Sequence, residues 1–351
     1  MTLGIILVAA ASPSVAERIG LNSFYFTLRQ ILFLIPTILI MLTMSFVKRK
    51  NLWRISSLVT IIAILLMASL MIIGFNTKGA TRWISVFGFS LQPSEFIKPA
   101  FAVSCAWLLS KQQYEKQFPG RYICLMTFVV ILLLLLMQPD IGMSFVVTSI
   151  WGVQMFLSGL PWILIFLIMA SGALGLMTIY MTFPHFASRL DRFVNPTSGD
   201  TYQVEKSIDA FINGGIWGKG PGHGEIKMHL PDAHSDFIFA VAGEEFGMIM
   251  VLALIAIYCF IIIRSVMRVF KHEDMFVILA TAGIVTQLGV QSLIHMGSSL
   301  QLLPAKGMTL PLISYGGSSL VSCGFAVGIL LALTSKRIQA EFSVENRRSI
   351  V

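Results

Sequence analysis

Residues 122–137 read YICLMTFVVILLLLLM, a stretch without one charged side chain. An α-helix of about 17–25 apolar residues can cross the hydrocarbon core of a bilayer, and this stretch approaches that length. Comparable apolar stretches recur along the chain and are separated by mostly short polar connections. This repetition predicts an integral membrane protein built from helices.

Composition indicates the same class of protein. Of the 351 residues, 56% are hydrophobic and only 12% are charged, whereas soluble domains carry about 25% charged residues. We predict an all-α integral membrane protein, a polytopic bundle of about ten transmembrane helices that forms one domain over residues 1–351. The candidate spans cover about 3–13, 26–47, 53–74, 94–111, 122–137, 141–158, 161–183, 236–268, 275–296 and 313–335.

The first candidate span is shorter than a membrane crossing requires. Either its helix continues through the following SPSVAERIG, or the N-terminal span is abbreviated. A cleaved signal peptide is disfavoured because no basic segment precedes the apolar residues.

Basic residues cluster between alternate spans, at 48–54, 111–121 and 264–271, and again in the tail. Because cytoplasmic loops retain Lys and Arg, this alternation predicts that both termini are cytoplasmic. The one long connection, 184–235, then lies on the extracytoplasmic side, and its aromatic and glycine-rich composition favours a packed loop over a disordered one. The net charge of +8 arises from basic residues in the loops. The sequence has no run of basic residues interleaved with aromatic ones, so a nucleic-acid partner is not expected.

The four cysteines, Cys105, Cys124, Cys259 and Cys323, lie in four different candidate spans. Buried cysteine usually acts as a small hydrophobic residue, and these positions have no ligand-like spacing. We therefore expect neither a disulfide nor a zinc cluster.

Residues 230–240, LPDAHSDFIFA, place Asp236 where the chain re-enters an apolar stretch. Asp236 is interpreted as a helix N-cap or as a functional carboxylate, because ionisable groups beside a bilayer are costly and mark functional sites. If one helix includes 236–245, Glu244 lies about 80° from Asp236 and Glu245 lies on the opposite side. Glu244 is therefore the candidate for a shared site, with a structural role for the Glu pair as the alternative.

Two further segments carry candidate anion-binding groups. The first is RWISVFGFSLQPSEFIK, residues 82–98, in which Arg82 and Lys98 are basic residues on the extracytoplasmic side, where basic residues are few. The alternative is that this segment caps a helix and that Arg82 is merely solvated. In LLPAKGMTLPLISYGGSS, residues 302–319, Lys306, Ser314 and the glycine pair could cradle an anion or could permit close packing. The turn QPDIG, 138–142, is typical of a turn that caps a helix.

The histidine spacing does not indicate a metal site, since His223, His229 and His234 are not placed as a helical pair. A divalent cation, Mg²⁺ or Mn²⁺, bound by a carboxylate near Asp236 is the more plausible metal.

Together these segments resemble the SEDS family (shape, elongation, division and sporulation) of bacterial membrane proteins. The matching pieces are RWI with QPSEFIK, QPDIG, YQVEKSIDAFINGGIWGKGPG, LPDAHSDFIFAVAGEEFG and LLPAKGMTLPLISYGGSS, in family order from about residue 79 to 335. Within the family the motifs are more similar to those of the division members than to those of the elongation members.

The resemblance implies a peptidoglycan glycosyltransferase of the bacterial inner membrane. Its substrate would be lipid II, a disaccharide-pentapeptide on an undecaprenyl pyrophosphate carrier, which is polymerised into β-1,4-linked glycan during cell division. The family pattern assigns catalysis to Asp236, as a general base. It also implies a class B penicillin-binding protein as the transpeptidase partner, together with other division proteins. A lipid II flippase and a non-enzymatic division scaffold remain the alternative functions.

Overall fold

The computed structural model describes residues 1–73, 82–86, 89–138, 140–184, 187–188, 202–269, 272–303 and 307–335. These residues contain eleven α-helices and one antiparallel pair of short strands. The helices are α1 (Thr2–Ala16), α2 (Tyr25–Ser45), α3 (Arg49–Ile73), α4 (Pro93–Tyr114), α5 (Gly120–Met137), α6 (Ile141–Leu157), α7 (Trp162–Thr182), α8 (Tyr202–Gly214), α9 (Ile238–Val269), α10 (Met275–Ser299) and α11 (Gly317–Leu333). The strands are β1 (Ile84–Val86) and β2 (Phe89–Leu91).

The helical fold class predicted from the sequence is confirmed. Ten of the helices coincide with the ten candidate spans, and α8 is an additional helix within the long connection. Within the described residues six helices are long and apolar enough to cross a membrane, namely α1 with its extension, α2, α3, α5, α9 and α10. Helices α6 and α11 are apolar but shorter, so ten membrane crossings stay a prediction.

The N-terminal ambiguity is resolved in favour of a continuous helix. Helix α1 passes through Pro13 to Ala16, and a short 3₁₀ turn extends it to Ile19. The apolar segment thereby reaches 18 residues, which is within the range that spans a bilayer.

The chain divides into two compact units. Unit 1 consists of residues 1–31, 159–258 and 291–315. It contains α1, α7, α8 and the first part of α9, and its core includes Leu7, Val8, Phe239 and Leu310. It therefore holds the whole described part of the long connection.

Unit 2 consists of residues 32–158, 259–290 and 316–351. Helices α3 to α6 pack on one another in this unit, and α11 packs on α4. At the start of α11, Ser318 Oγ donates to the Ser90 carbonyl of β2 at 3.1 Å and accepts from the Gln92 N–H at 3.0 Å. These bonds hold the β1–β2 hairpin, which the sequence did not predict, against the start of α11.

The expectation that the cysteines form no disulfide is wrong. Cys105 of α4 and Cys124 of α5 are joined by a disulfide, with their Cα atoms 5.5 Å apart. The physical reason is that α4 and α5 are joined by a short connection and pack as neighbours, which spacing between cysteines does not reveal. Cys259 and Cys323 are not disulfide-bonded.

Candidate functional site

Asp236 lies in a compact turn that immediately precedes α9. The N–H groups of Ser235 and Asp236 donate to the Asp232 carbonyl at 3.0 and 2.9 Å, and Asp232 has a φ of 52°, a left-handed conformation that aspartate tolerates. The Val241 N–H donates to the Phe237 carbonyl at 3.1 Å. Phe237, and not Asp236, therefore occupies the N-cap position. Asp236 lies one residue earlier and is partly exposed.

Two residues of the 307–315 segment fix the backbone of this turn. Ser314 Oγ donates to the Ser235 carbonyl at 2.7 Å and accepts from the Leu310 N–H at 2.8 Å. The Tyr315 N–H donates to the His234 carbonyl at 3.0 Å. The predicted site residue Ser314 is thus adjacent to Asp236 and positions the residue before it, because its buried hydroxyl bridges two backbone groups.

A glycine leaves room for the Asp236 carboxylate. A Cβ atom at Gly307 would lie 2.9 Å from Asp236 Oδ2, which is shorter than a carbon–oxygen contact allows. The sequence analysis did not single out Gly307, although it follows the candidate Lys306. Lys306 itself lies outside the described residues.

The side chain of His234 anchors the turn in aromatic surroundings. Its ring lies against Phe26, with centroids 4.0 Å apart and planes tilted by 30°, and it lies 5.0 Å from the Tyr315 ring. Burial lowers the pKa of His234 to about 4, although nearby Asp232 opposes the shift. The imidazole is therefore neutral at neutral pH.

Glu244 occupies a different environment from the one that the sequence analysis assumed. Because α9 begins at Ile238, Asp236 and Glu244 do not share a helix, and the 80° separation does not apply. Glu244 is fully buried. Its Oε1 accepts from Asn213 Nδ2 at 3.0 Å and from the Ile226 N–H at 2.7 Å, and its Oε2 accepts from the Lys227 N–H at 2.9 Å. These contacts match the structural alternative for Glu244.

Glu245 is also buried and forms an ion pair with Lys227. Lys227 Nζ donates in addition to the Ala10 carbonyl of α1 at 3.0 Å. Glu244 and Glu245 thus hold the 213–227 segment by accepting hydrogen bonds from its side chains and backbone. We call these two carboxylates and their donors the loop clamp. A buried charge is tolerated here because it is paired and hydrogen-bonded.

Helix α9 changes character at Gly247, where φ is 73° and ψ is −173°. This conformation favours glycine, and it separates a buried first part, 238–246, from a second part in which Met248, Ile249 and Leu252 are exposed. The Met248 N–H donates to the Gly215 carbonyl at 2.9 Å. The sequence analysis interpreted 236–268 as one uniform span and missed this break.

Arg82 belongs to unit 2, where it neighbours the QPDIG turn. Its Nε donates to the Gln138 carbonyl at 2.8 Å, and its guanidinium lies 3.6 Å from Asp140 Oδ2. Asp140 is the N-cap of α6 and accepts from the Met143 N–H at 3.2 Å, as the turn motif predicted. About a quarter of the Arg82 side chain is exposed, 28%, so it can contact a ligand.

Lys98 also belongs to unit 2 but is fully enclosed. Its exposed fraction is 0%, and Nζ pairs with Glu95 Oε2 at 2.8 Å on the next turn of α4. Protein therefore surrounds the ammonium group, and anion binding by Lys98 stays a prediction. Of the predicted site residues, Asp236, Glu244 and Ser314 belong to unit 1, whereas Arg82 and Lys98 belong to unit 2.

Within the described ranges, three or more His, Cys, Asp or Glu side chains nowhere come together in a way that could hold a metal ion. Mg²⁺ is commonly bound by one or two carboxylates together with substrate phosphates, so a divalent cation near Asp236 stays a prediction.

Arg29 is a further residue that the sequence analysis missed. It hydrogen-bonds to the side chain of Tyr315 and lies 4.9 Å from the centre of the Tyr25 ring. Burial raises the pKa of Tyr315, and Arg29 opposes this shift. An arginine near the start of an apolar helix was the available signal, since charged residues in such helices are rare.

Sequence comparison gives matches over nearly the whole chain. A family model for FtsW, RodA and SpoVE proteins, described as "Cell cycle protein", matches residues 1–339. A probable peptidoglycan glycosyltransferase FtsW from Caulobacter vibrioides is 39% identical over 341 residues, covering 96% of this chain and 87% of the relative. A second probable FtsW, from Saccharophagus degradans, is 36% identical over 359 residues and covers 99% and 91%.

Structure comparison agrees with these matches. A chain from the structure described as "Structural coordination of polymerization and crosslinking by a peptidoglycan synthase complex" is 25% identical, with a TM-score of 0.75 and coverage of 96% of this chain and 98% of that chain. The rod shape determining protein RodA of Thermus thermophilus is 24% identical, with a TM-score of 0.68 and coverage of 95% and 92%. At that identity the similarity to RodA shows the fold alone.

Proposed function

This chain belongs to the FtsW/RodA/SpoVE family, and we propose that it is a peptidoglycan glycosyltransferase of cell division whose general base is Asp236. Its sequence relatives are named as probable glycosyltransferases over nearly their full lengths. The observation that supports the assignment is the partial exposure of the Asp236 side chain on a turn with a fixed backbone. The carboxylate is partly exposed at the start of α9, on a turn held by Ser314 and Tyr315, with Gly307 leaving space beside it.

A carboxylate in this position fits the chemistry of glycosyl transfer. The acceptor sugar hydroxyl is a weak nucleophile at neutral pH and needs a positioned base. As the hydroxyl oxygen bonds to the anomeric carbon of the donor sugar, its proton passes to Asp236. The bond from that carbon to the pyrophosphate oxygen breaks, and undecaprenyl pyrophosphate leaves with the electron pair. Neutral His234 adds no positive charge that would compete for the carboxylate.

The fixed backbone around Asp236 supports catalysis by positioning. A base must be held within hydrogen-bond reach of the hydroxyl, and a displacement of about 1 Å can cost about 10²-fold in rate. Ser314 and Tyr315 bind the carbonyls of Ser235 and His234, so they limit such displacement. Ser314 is therefore proposed as a positioning residue and not as a direct substrate ligand.

Charge neutralisation of the leaving pyrophosphate is a separate proposal. Arg82 suits this role because its guanidinium is partly exposed and can bind two phosphate oxygens. Lys98 is enclosed and paired with Glu95, so its contribution would be to hold Glu95 and α4 in place. Lys306 remains a proposed phosphate ligand on its motif alone. Arg82→Lys should fail to restore full donor use if bidentate binding matters, whereas full activity of Arg82→Gln contradicts the assignment.

The chain is a multi-pass protein of the bacterial inner membrane, and its orientation is proposed from the basic clusters. With both termini cytoplasmic, the 202–235 segment lies outside the cell, where a lipid-linked sugar can react while its carrier remains in the bilayer. Single-cysteine labelling from outside, with the native cysteines replaced, should reach Lys219 and not Lys48. The reverse pattern would overturn this orientation.

A class B penicillin-binding protein is the proposed transpeptidase partner, alongside other division proteins. The support is the structural similarity to a chain of a complex described as coordinating polymerization and crosslinking. Co-purification of the full-length chain with such a partner tests this proposal.

The experiment for the catalytic proposal is polymerisation of lipid II by the purified full-length chain with its partner. Wild type should form glycan, and Asp236→Asn should lose about 10² to 10⁴ in rate, as removal of a general base typically does. Binding of lipid II and of the partner should persist in this variant. Asp236→Glu keeps the charge but moves the carboxylate, so intermediate activity is expected.

The same experiment separates the alternative functions. A flippase would move lipid II between leaflets of proteoliposomes without forming glycan, and a scaffold would bind partners but do neither. Glycan formation that persists in a well-folded Asp236→Asn variant would contradict the catalytic assignment.

A further inference from the structure

A cleft of about 270 Å³ opens in unit 2 where α3 begins and α4 ends. Three of its lining residues are basic, Arg49, Lys50 and Lys111, and one is acidic, Glu115. Two indole rings also line it: Trp53 and Trp107 stack with centroids 4.0 Å apart and an interplanar angle of 7°. The cleft thus combines positive charge with aromatic surface, which is the composition expected at the headgroup level of a bilayer.

The cations of the cleft differ in how strongly the protein itself neutralises them. Arg49 is ion-paired with the fully buried Asp274, so its charge is already compensated. Lys111 lies 3.6 Å from Glu115, whose side chain is 62% exposed. Because exposed pairs of this kind contribute little, Lys111 can exchange Glu115 for a stronger anionic ligand. Lys50 also lines the cleft, and its side chain is exposed.

Lys50 of the cleft lies on the same face of α3 as an exposed apolar surface. Lys50 and Arg54 are exposed, and so are the aliphatic residues that follow them on the same face, Leu58, Ile61 and Leu65. These five positions lie within about 80° on the helix, and the aliphatic part covers about 10 Å of its length. Basic groups are therefore followed along one face by a stripe that can contact acyl chains.

We propose that this cleft binds an anionic phospholipid, with its phosphate at Lys50 and Lys111 and its acyl chains along Leu58, Ile61 and Leu65. A free phosphate would use the basic groups but would gain nothing from the apolar stripe. A neutral zwitterionic lipid would use the stripe but would lack the net negative charge that the basic groups attract. The Trp53 and Trp107 rings suit the interfacial depth at which the phosphate lies. This lipid site is independent of the proposed glycosyl transfer.

The test uses the delipidated full-length chain in detergent and native mass spectrometry. Dioleoyl phosphatidylglycerol, dioleoyl phosphatidylcholine and inorganic phosphate are titrated separately. Phosphatidylglycerol should bind about tenfold more tightly than phosphatidylcholine, because each basic residue near a lipid surface adds appreciably to the affinity for anionic lipid. Inorganic phosphate at millimolar concentration should not displace it. Equal affinity for the two lipids, or complete displacement by phosphate, would contradict the proposal.

Matched variants locate the site. Lys50→Gln combined with Lys111→Gln should reduce phosphatidylglycerol affinity to that of phosphatidylcholine. Lys48→Gln combined with Lys116→Gln makes the same charge change at exposed residues that do not line the cleft, and it should keep the preference. A preference that survives the first pair, or that is lost equally in the second, places binding elsewhere. Lys50→Gln alone changes one exposed residue and should reduce the preference for phosphatidylglycerol in part. This single variant supplies the readout if the double variant folds poorly.

Discussion

Asp236 and Glu244 are carboxylates of the same unit, eight positions apart, and the protein treats them in opposite ways. Asp236 is partly exposed, and the hydrogen bonds that fix its turn involve neighbouring backbone groups. Glu244 is fully buried, and both of its oxygens accept hydrogen bonds from the 213–227 segment. The first carboxylate is partly exposed, whereas the second is enclosed and stabilises the loop.

The difference shows that an acid beside an apolar stretch has two distinct uses. In the loop clamp the charge is compensated by donors of the chain itself, so it contributes to stability and has little capacity left for a ligand. In the Asp236 turn the protein fixes the backbone and leaves the carboxylate accessible, as a base requires. Substitutions in the two regions should therefore change different properties.

The largest expected effect concerns the loop clamp. Lys227→Met leaves Glu245 buried without its ion-pair partner, and breaking such a pair typically costs about 3–5 kcal/mol in the free energy of unfolding. Thermal unfolding in detergent should show a lowered midpoint, and proteolysis should cut the 213–230 segment. Lys219→Met removes an exposed lysine of the same segment and should leave both unchanged. If Lys227→Met is as stable as wild type, the loop clamp does not differ from the Asp236 turn in its contribution to stability.

The next effect is on catalysis without a comparable loss of stability. In Gly307→Ala the new Cβ would lie 2.9 Å from Asp236 Oδ2, so the carboxylate must move. A shift approaching 1 Å should lower the polymerisation rate by about 10- to 100-fold. Gly152→Ala is the control, because a Cβ atom there meets nothing within 4 Å. Wild-type turnover in Gly307→Ala would show that the carboxylate position is not critical.

A smaller effect is expected at Ser314. Ser314→Ala leaves the Ser235 carbonyl and the Leu310 N–H without this partner, which should cost about 1–3 kcal/mol in stability and lower turnover more than substrate affinity. Ser235→Ala is a matched control, because its hydroxyl is exposed and bonds only within the turn at 3.3 Å. Kinetics that change only in KM would assign Ser314 to substrate binding instead.

The smallest effect is a pH dependence from His234. Its pKa is about 4 in the folded protein against an ordinary 6.5, so between these values the unfolded chain binds a proton that the folded chain does not. Stability from this group is present above pH 6.5 and falls as the pH drops toward 4, by about 1 kcal/mol between pH 7.5 and 5.5. Lowering the pH from 7.5 to 5.5 should therefore reduce the thermal midpoint of wild type by more than that of His234→Phe, which cannot titrate at this position. Equal reductions in the two proteins would contradict this assignment. The exposed His229→Phe should keep the wild-type slope.

Much of the fold follows from local sequence. The apolar stretch of α5 is long and uncharged, and the same pattern of apolar runs placed nine other helices. Helix α8 was missed because its apolar residues form one face and not a continuous run. The break at Gly247 was missed because FGMIMV reads as uninterrupted apolar sequence, whereas the backbone bond from Met248 beside the break goes to Gly215, which is distant in sequence.

The candidate site could be predicted only in part. Asp236 stands out because an acid beside an apolar stretch is costly, and the family resemblance assigns it a role. The positions of Gly307 and Ser314 against the turn depend on contacts about seventy to eighty residues away in sequence, and local patterns do not encode such pairings. For the same reason the sequence grouped Glu244 with Asp236, although the donors that enclose Glu244 come from the preceding loop.

The most direct test compares Asp236→Asn with Glu244→Gln in one lipid II polymerisation assay, with rates expressed per folded molecule after size-exclusion chromatography. Each substitution replaces a carboxylate by an amide of similar shape. The account predicts that Asp236→Asn keeps the wild-type unfolding midpoint but loses about 10² to 10⁴ in rate. Glu244→Gln should lower the midpoint while its folded molecules retain most of the turnover. The opposite result, an active Asp236→Asn beside a stable but inactive Glu244→Gln, would contradict the assignment of Asp236 as the base.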